Sequence, residues 1–490
     1  MGKFARLYQL FLGQIQVFGN KDFLRLLKIF CIAAIAVIGY AFVFCGFQVV
    51  DEFEHLHASW LISIGKIPYY DFFEHHNPLL WYLSAPIVRA FYDDAIIFYV
   101  MRIISAGASV LSAWYIYKTV CLFSNKLCAW LAIALYLGNL ITVYNFYQFR
   151  PDVFMNLCFI MGLYYWFCYL RDKHILSLIY SFLAFTFSAL FLQKISLLLI
   201  VVQVIILWQL IRRQITIKAA TIASLPALSI FALFIAFLVW QGILPEYVEL
   251  NYHFNQALIY YFERGSFWYP HLWFSVYGLA LVCAILLYKK QNQYFRIVAI
   301  LYVAEFLMRA FYFAPHPNYY TLLTILEAMV LSIMAEKLMP KFKIIVILAL
   351  LAMFINLGGI FNKIDTNSQK YNSYYQYKLA QFVHQNSNPD DLLMNGYDMN
   401  FNIYRQDVHY YWFGLDMLLP IMEQEYNIQQ KLDVNVLIAN YRPKFIYTKD
   451  YADLWALRMY GEVKYSQQFL PELVNLLYEE TPFKYLAILK

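Results

Sequence analysis

Long apolar runs separated by short polar segments fill the first 361 residues of the chain. A helix needs about 20 mostly apolar residues to cross a bilayer, and most of these runs approach that length. The pattern therefore predicts about eleven transmembrane helices, with residues 1–27 as a basic, partly amphipathic lead-in to an uncleaved first helix. The predicted spans are 28–50, 96–119, 127–143, 153–170, 176–191, 195–211, 219–240, 271–288, 297–313, 319–335 and 344–361.

The pattern changes at residue 362, where polar residues rich in Asn and Gln replace the apolar runs. A helical pattern at 371–386 and an apolar-periodic run at 415–432 alternate with short strand-like stretches. This alternation predicts a small α/β domain over 362–490. Its predicted core comprises Leu392, Leu393, Phe445, Ile446, Leu486 and Ile488.

Composition supports a mainly α, polytopic membrane protein. Hydrophobic residues make up 62% of the chain and charged residues only 14%, against about 25% charged in soluble proteins. We therefore divide the chain into a transmembrane domain at 1–361, whose first outer loop is 51–95, and a C-terminal extracytoplasmic domain at 362–490.

The distribution of charge predicts the orientation. With a cytoplasmic N-terminus, the inward-facing segments of 1–361 hold 18 Lys and Arg but only Asp22, Asp172 and Glu336 as acids. An odd number of spans then places the C-terminal domain outside. The net charge of +6 is thus mainly a topological signal, and nucleic acid is not an expected partner. The chain has neither a GxxxxGK[ST] phosphate loop nor a GxGxxG motif, so no nucleotide cofactor is predicted.

Five carboxylates and four histidines lie within residues 51–82, directly after the first apolar run. Asp51 and Glu52 stand where that run ends. They are either solvated interface charges or carboxylates at the edge of a dry cavity, where desolvation favours proton abstraction. Glu74 is either a hydrogen-bonded anchor of the loop or a metal ligand together with a distant histidine, for which we take His253.

Further charged residues occur at the predicted outer ends of later spans. Arg150 and Asp152 flank Pro151, and Lys194 interrupts the apolar stretch LFLQKISLLLI. Arg309 either pairs with Glu305 one helical turn earlier or joins Lys194 in binding a phosphate at membrane depth. Because a lysine between two apolar runs is costly, we favour a functional role for Lys194.

These residues together resemble the type-C, dolichyl-phosphate-mannose-type glycosyltransferases, which include protein mannosyltransferases and bacterial aminoarabinose transferases. The resemblance rests on Asp51–Glu52, GKIPYYDFFEHHNPLLWY, Arg150–Asp152, Lys194 and RAFYFAPHPNYYTLL, and it covers about 1–361. Asp51 takes the place of the family's reacting aspartate, and Asp152 that of a second aspartate. Glu74 is followed by His75 where aminoarabinose-type members have lysine. The family's His-Tyr pair corresponds to Asn318-Tyr319 or to His316.

The resemblance implies an inverting transfer of a sugar from a polyprenyl-phosphate donor to a lipid, glycan or protein acceptor. Asp51, with Asp152 and Glu52, would act at the reacting centre. The leaving phosphate would be stabilised by Lys194, Arg309, Arg150 and His316, with a divalent metal ion as a candidate cofactor. A bacterial plasma membrane, with the site on its extracytoplasmic face, is the implied location.

Two other classes of protein remain open from the sequence. A transporter would also have many spans, but it favours helices interrupted by Gly or Pro and sites near the bilayer midplane. The chain has only 17 glycines, and its acidic and imidazole groups concentrate at the predicted outer face. A glycan-assembly factor without transferase activity leaves Lys194 and Asp152 unexplained.

Overall fold

Helices account for most of the computed structural model, which describes residues 19–46, 51–257, 275–311, 317–338, 343–370, 372–394, 403–408, 410, 434–447, 471–483 and 486–490. The helices of the first part are α1 (Asn20–Phe44), α2 (Asp51–Ser63), α3 (Leu79–Ala90), α4 (Ile97–Phe123), α5 (Lys126–Leu137), α6 (Leu140–Asn145), α7 (Pro151–Asp172), α8 (Ile175–Phe191), α9 (Ser196–Ile211), α10 (Ile217–Trp240) and α11 (Leu244–Val248). They are followed by α12 (Val276–Tyr288), α13 (Gln293–Phe311), α14 (Thr321–Leu338) and α15 (Lys343–Lys370).

Six of these helices are long and apolar enough to cross a membrane, as judged by length and composition over the described residues. They coincide with predicted spans and identify a multi-pass membrane protein. The other five predicted spans are mostly helical over their described residues. The helices α5, α8 and α12 are shorter than 18 residues, and α13 and α14 each carry three charged residues. The number of eleven spans therefore stays a prediction.

Hydrogen bonds between helix ends define two faces of the bundle. At one face, the Tyr40 hydroxyl donates to Asp365 at 2.6 Å, joining the end of α1 to the end of α15. At the other face, Asn125 and Ser124 donate to Glu336. We call these the site end and the opposite end, because residues 51–95 and the start of α7 belong to the first.

The predicted first outer loop is itself mostly helical. Residues 51–63 form α2, and its positions from Glu52 to Leu61 are all buried. The proline at 78 precedes α3, whose apolar face packs on α2. The loop is thus a packed layer over the site end of the bundle, as its many aromatic residues favour.

The C-terminal part contains a small mixed sheet, as the sequence predicts. Its strands are β1 (Leu393–Met394), β2 (Phe445–Tyr447), β3 (Tyr478–Glu480) and β4 (Leu486–Leu489), in the order β1-β2-β4-β3. The β1–β2 pair is parallel and the other two pairs are antiparallel. The helices α16 (Ser373–Gln385), α17 (Val434–Tyr441) and α18 (Pro471–Leu477) accompany it.

The core of this sheet matches the predicted residues only in part. Leu393, Phe445, Ile446 and Leu486 are buried, whereas Leu392 and Ile488 are half-buried. The apolar run predicted at 415–432 lies outside the described residues. The proposed boundary at 361 falls within α15, which continues to Lys370, so the last span leads into the C-terminal part without a break.

Candidate active site

The first turn of α2 directs neighbouring acidic residues to different partners. Residues three apart share a helix face, whereas adjacent residues are about 100° apart. Asp51 accordingly pairs with Arg150, and Glu54 faces His76. Glu52 points toward α4, where Arg102 binds its two oxygens at 2.9 and 2.8 Å.

The Arg150–Pro151–Asp152 sequence forms the start of α7. A residue before proline is disfavoured in helical geometry, and Arg150 is extended at φ −141° and ψ 147°. Proline suits the first helical position, so α7 begins at Pro151 and places Asp152 in its first turn. Arg150 is therefore held beside Asp152, at 3.2 Å between Nη2 and Oδ2.

A chain of ion pairs connects four of the predicted site residues. Arg150 lies between Asp51 and Asp152, and Lys194 pairs with the second oxygen of Asp152. The side chains of Arg150 and Asp152 are buried, while Asp51 is 21% exposed and Lys194 13% exposed. Residues from three separate parts of the sequence thus meet at the site end, with their charges balanced.

The remaining cation, Arg309, borders this chain of ion pairs. It bonds Glu305 one helical turn earlier, at 2.8 Å from Nε and 2.5 Å from Nη2, so the ion pair considered from the sequence is present. Its charge also lies close enough to Lys194 to repel it. The ring of Tyr319 lies 4.5 Å from the Lys194 ammonium. His316 lies outside the described residues.

A second cluster adjoins Asp51 and combines carboxylates with imidazoles. His76 Nδ1 lies 3.0 Å from Glu54 Oε1 and 3.7 Å from Glu74 Oε2. One ligand atom each from Glu54, His75 and His76 lies within 4.8 Å of the others, a spacing that suits a metal ion. Burial lowers the pKa of His75 and His76 to about 4 and raises the pKa of Glu54 to about 8.

Two of the predicted site residues lie elsewhere. Glu52 is buried in its pair with Arg102. The same arginine donates to the carbonyls of Phe42, Cys45 and Gly46, so the pair connects α2 to α4 and to the end of α1. His253 is 62% exposed and pairs with Glu249 at 2.9 Å. The group whose spacing could hold a metal ion instead contains Glu54, His75 and His76, with Glu74 beside it. The clustering of acidic residues and histidines within residues 51–82 is visible in the sequence. The contact between Glu54 and His76 across the loop is not.

The fold resembles solved membrane-protein structures. ArnT from Cupriavidus metallidurans bound to undecaprenyl phosphate aligns with a TM-score of 0.60 at 11% identity, over 90% of this chain and 96% of that one. The apo state of the same protein gives 0.57 at 10% identity, over 86% and 92%. The apo oligosaccharyltransferase from Archaeoglobus fulgidus gives 0.50 at 11% identity, over 88% and 70%.

Comparison by sequence gives no match, either to a protein-family model or to a curated protein. At 10–11% identity, the structural likeness concerns the fold. For ArnT it extends over 86–90% of this chain and 92–96% of the other. The chain therefore shares the fold of ArnT, in agreement with the architecture that its sequence resemblance implies.

Proposed function

We propose that the chain is an integral membrane glycosyltransferase that moves a sugar from a polyprenyl-phosphate donor to a lipid, glycan or protein acceptor, with inversion. The ion-paired series Asp51–Arg150–Asp152–Lys194 carries this proposal. It joins a carboxylate suited to accept a proton to cations suited to bind a phosphate, at one end of a bundle with the ArnT fold.

Asp51 is the proposed base, because it is the more exposed of the two aspartates in the series. The acceptor hydroxyl oxygen forms a bond to the anomeric carbon, while the bond between that carbon and the phosphate oxygen breaks. The hydroxyl proton passes to Asp51, and the electron pair leaves with the polyprenyl phosphate. Attack opposite the leaving group inverts the anomeric centre.

Arg150, Lys194 and Arg309 are the proposed phosphate-binding residues. Arg150 and Lys194 are neutralised by the two aspartates, so a phosphate that binds them competes with these carboxylates. Drawing Arg150 toward the phosphate frees Asp51 to accept the acceptor's proton. This exchange links donor binding to activation of the base, and the same cations then stabilise the departing phosphate.

The residues Glu54, His75 and His76 fit a divalent metal ion. Glu54 Oε1 and His76 Nδ1 are 3.0 Å apart, with His75 beside them, and neutral imidazole is the form that ligates metals. A bound ion would supply positive charge beside Asp51 and order the loop. We expect the purified wild-type protein to retain Zn²⁺ or Mn²⁺ by elemental analysis and His76→Ala to lose it; equal metal content in both would exclude this site.

The proposed location is a bacterial plasma membrane, with the site on its extracytoplasmic face. The opposite end of the bundle carries exposed basic residues, including Lys173, Arg212, Arg213, Lys218 and Lys289. Such an excess of Lys and Arg is typical of cytoplasmic loops. This distribution supports an extracytoplasmic location of the site end.

Binding of undecaprenyl phosphate tests the phosphate-binding half of the proposal. We expect saturable binding to the detergent-purified protein, and a Kd that rises roughly ten- to a hundredfold in Lys194→Ala, since a hydrogen bond to a charged group contributes about 1.5–3 kcal/mol. Lys218→Ala removes an exposed lysine at the opposite end and serves as the control. Equal affinities of the two variants, or no saturable binding to the wild type, would contradict the proposal.

A further inference from the structure

The C-terminal part contacts the first outer loop through residues 403–408 and 410, which we call the docking segment. Ile403, Tyr404 and Arg405 are completely buried, although the segment has no helix or strand of its own. On one side it bonds the edge strand β1, from Leu393 N to Gln406 O and from Val408 N to Leu393 O. The segment is therefore anchored in the sheet.

On its other side the docking segment bonds three separate places in residues 51–95. The Ile403 carbonyl accepts from Nδ1 of His57, in the second turn of α2, at 2.9 Å. The Tyr404 hydroxyl donates to the Phe91 carbonyl at 2.7 Å. The Tyr410 hydroxyl donates to the Tyr69 carbonyl at 2.7 Å, and the Tyr410 backbone carbonyl accepts from Phe73 N at 3.0 Å.

An ion pair fixes the middle of this contact. Arg405 binds Asp93 through Nη1 at 2.8 Å and Nη2 at 3.4 Å. Its other hydrogen bonds go to His384, Ser387 and Tyr404 within the C-terminal part, so the guanidinium is fully engaged. The guanidinium is buried and the Asp93 side chain is 36% exposed, and an arginine with this many hydrogen bonds favours one relative position of the two parts.

The bonded places adjoin the two clusters of the candidate site. His57 lies on the same short helix as Asp51 and Glu54, less than two turns away. Phe73 immediately precedes Glu74, and its ring stacks on that of His75 with centroids 6.0 Å apart. The docking segment thus holds the two pieces of backbone that present the proposed base and the carboxylate–imidazole cluster.

We infer that the docking segment is a positioning element of the transferase site: the C-terminal part sets the geometry of α2 and residues 69–76 without supplying a reacting group. The expected effect on sugar transfer rests on the proposed function. The effect of the docking segment on the structure of residues 51–63 and 69–76 does not. Since catalytic groups misplaced by about 1 Å lose on the order of 10²-fold in rate, small displacements of this segment are expected to act on turnover rather than on donor affinity.

The test uses two variants that break the contact and leave the C-terminal part's own bonds in place. Asp93→Gly removes the partner of Arg405 at a position with φ 63°, which glycine adopts readily. Tyr410→Phe removes one hydroxyl. Asp94→Asn, which keeps an oxygen for the Ile96 amide, is the matched control in the same turn.

Hydrogen exchange of the purified full chain gives the first measurement. We expect amide exchange in 51–63 and 69–76 to become roughly tenfold faster or more in Asp93→Gly and Tyr410→Phe, with exchange at β4 and in Asp94→Asn as in the wild type. Unchanged exchange at 51–63 and 69–76 would overturn the inference, whatever the reaction of the protein is. Equal acceleration at β4 would do the same, because it would indicate general unfolding.

Transfer and donor binding give the second measurement. We expect sugar transfer by Asp93→Gly to fall at least tenfold while the Kd for undecaprenyl phosphate stays within about twofold, because Lys194 and Arg150 belong to other elements. A rise in Kd equal to the loss of transfer would overturn the positioning role. Absence of transfer by the wild type would count against the proposed function alone, since the exchange experiment decides the contact by itself.

Discussion

Asp51 and Glu52 are adjacent in the sequence but have different surroundings. Asp51 is partly exposed and meets Arg150 in a series of alternating charges, whereas Glu52 is buried and binds Arg102 through both oxygens. The sequence shows two equal candidates for the reacting carboxylate. Only their packing separates a group that is able to contact substrate from one that holds helices together.

Replacement of Glu52 should therefore affect stability first. Glu52→Gln leaves the buried Arg102 without its anionic partner, and breaking such a pair typically costs about 3–5 kcal/mol. We expect a clearly lowered melting temperature in detergent, whereas Asp51→Asn should melt close to the wild type because Arg150 keeps Asp152. If Glu52→Gln melted like the wild type but had lost transfer, Glu52 would instead be assigned to the reacting centre.

At the residue scale, the sequence predicted which side chains are chemically important better than it predicted their partners. Asp51, Arg150, Asp152 and Lys194 were all marked by charge at the end of an apolar run, and the structure brings them together. The metal pairing of Glu74 with His253 was not found, because distance between loops depends on how α2 folds back over the bundle. No local pattern encodes that.

At the scale of elements, close helix contacts depend on small residues. The Gly162 carbonyl on α7 accepts from Ser181 of α8 at 2.8 Å, and a Cβ at Gly162 would lie 2.7 Å from the Phe185 ring. Association of helices in a membrane relies on such close packing and on hydrogen bonds between helices. The α7–α8 pair thereby positions Asp152, in the first turn of α7, and Lys194, in the short turn that follows α8.

Gly162→Ala should overpack this contact. We expect a loss of about 1–3 kcal/mol of stability, seen as a lower melting temperature in detergent. Phe185→Leu added to Gly162→Ala should recover part of the loss, because it shortens the side chain that the new methyl group meets. Gly107→Ala, where nothing lies within 4 Å, is the control. Strictly additive effects of the two substitutions would show that this contact does not limit the packing.

Helices were the most predictable elements, because each spans a long apolar run with clear polar ends. Asn125 accepts from the Leu127 and Cys128 amides at the start of α5, and Pro151 begins α7, so both starts follow local rules. The end of α15 was predicted less well. Its polar last turns, after residue 361, looked like a separate domain but continue the same helix to Lys370.

At the scale of the whole molecule, the C-terminal part lies at the same end as the candidate site. Ser373 donates to the Val43 carbonyl at 2.5 Å, and the docking segment covers residues 51–95. The sequence predicted a small α/β unit after the last span. It did not predict the Arg405–Asp93 pair, because the two residues are 312 positions apart.

Protease accessibility tests the orientation of the whole molecule. Protease added to intact spheroplasts should cleave within the C-terminal part, since that part shares the proposed extracytoplasmic face. A cleavage site inserted between α9 and α10, at the opposite end, should be cut only after the membrane is opened. The reverse cleavage pattern would place the candidate site on the cytoplasmic face. It would contradict the proposed orientation and, with it, the proposed donor.

Transfer by Asp51→Asn tests the central claim most directly. The measurement is incorporation of labelled sugar from a polyprenyl-phosphate donor into acceptor, with protein purified to equal amounts. Loss of a general base lowers rates by ~10²–10⁴, so we expect transfer to fall by that factor while undecaprenyl phosphate still binds. Asp71→Asn, an exposed aspartate of the same loop, should retain transfer. Transfer by Asp51→Asn at the wild-type rate would contradict the account.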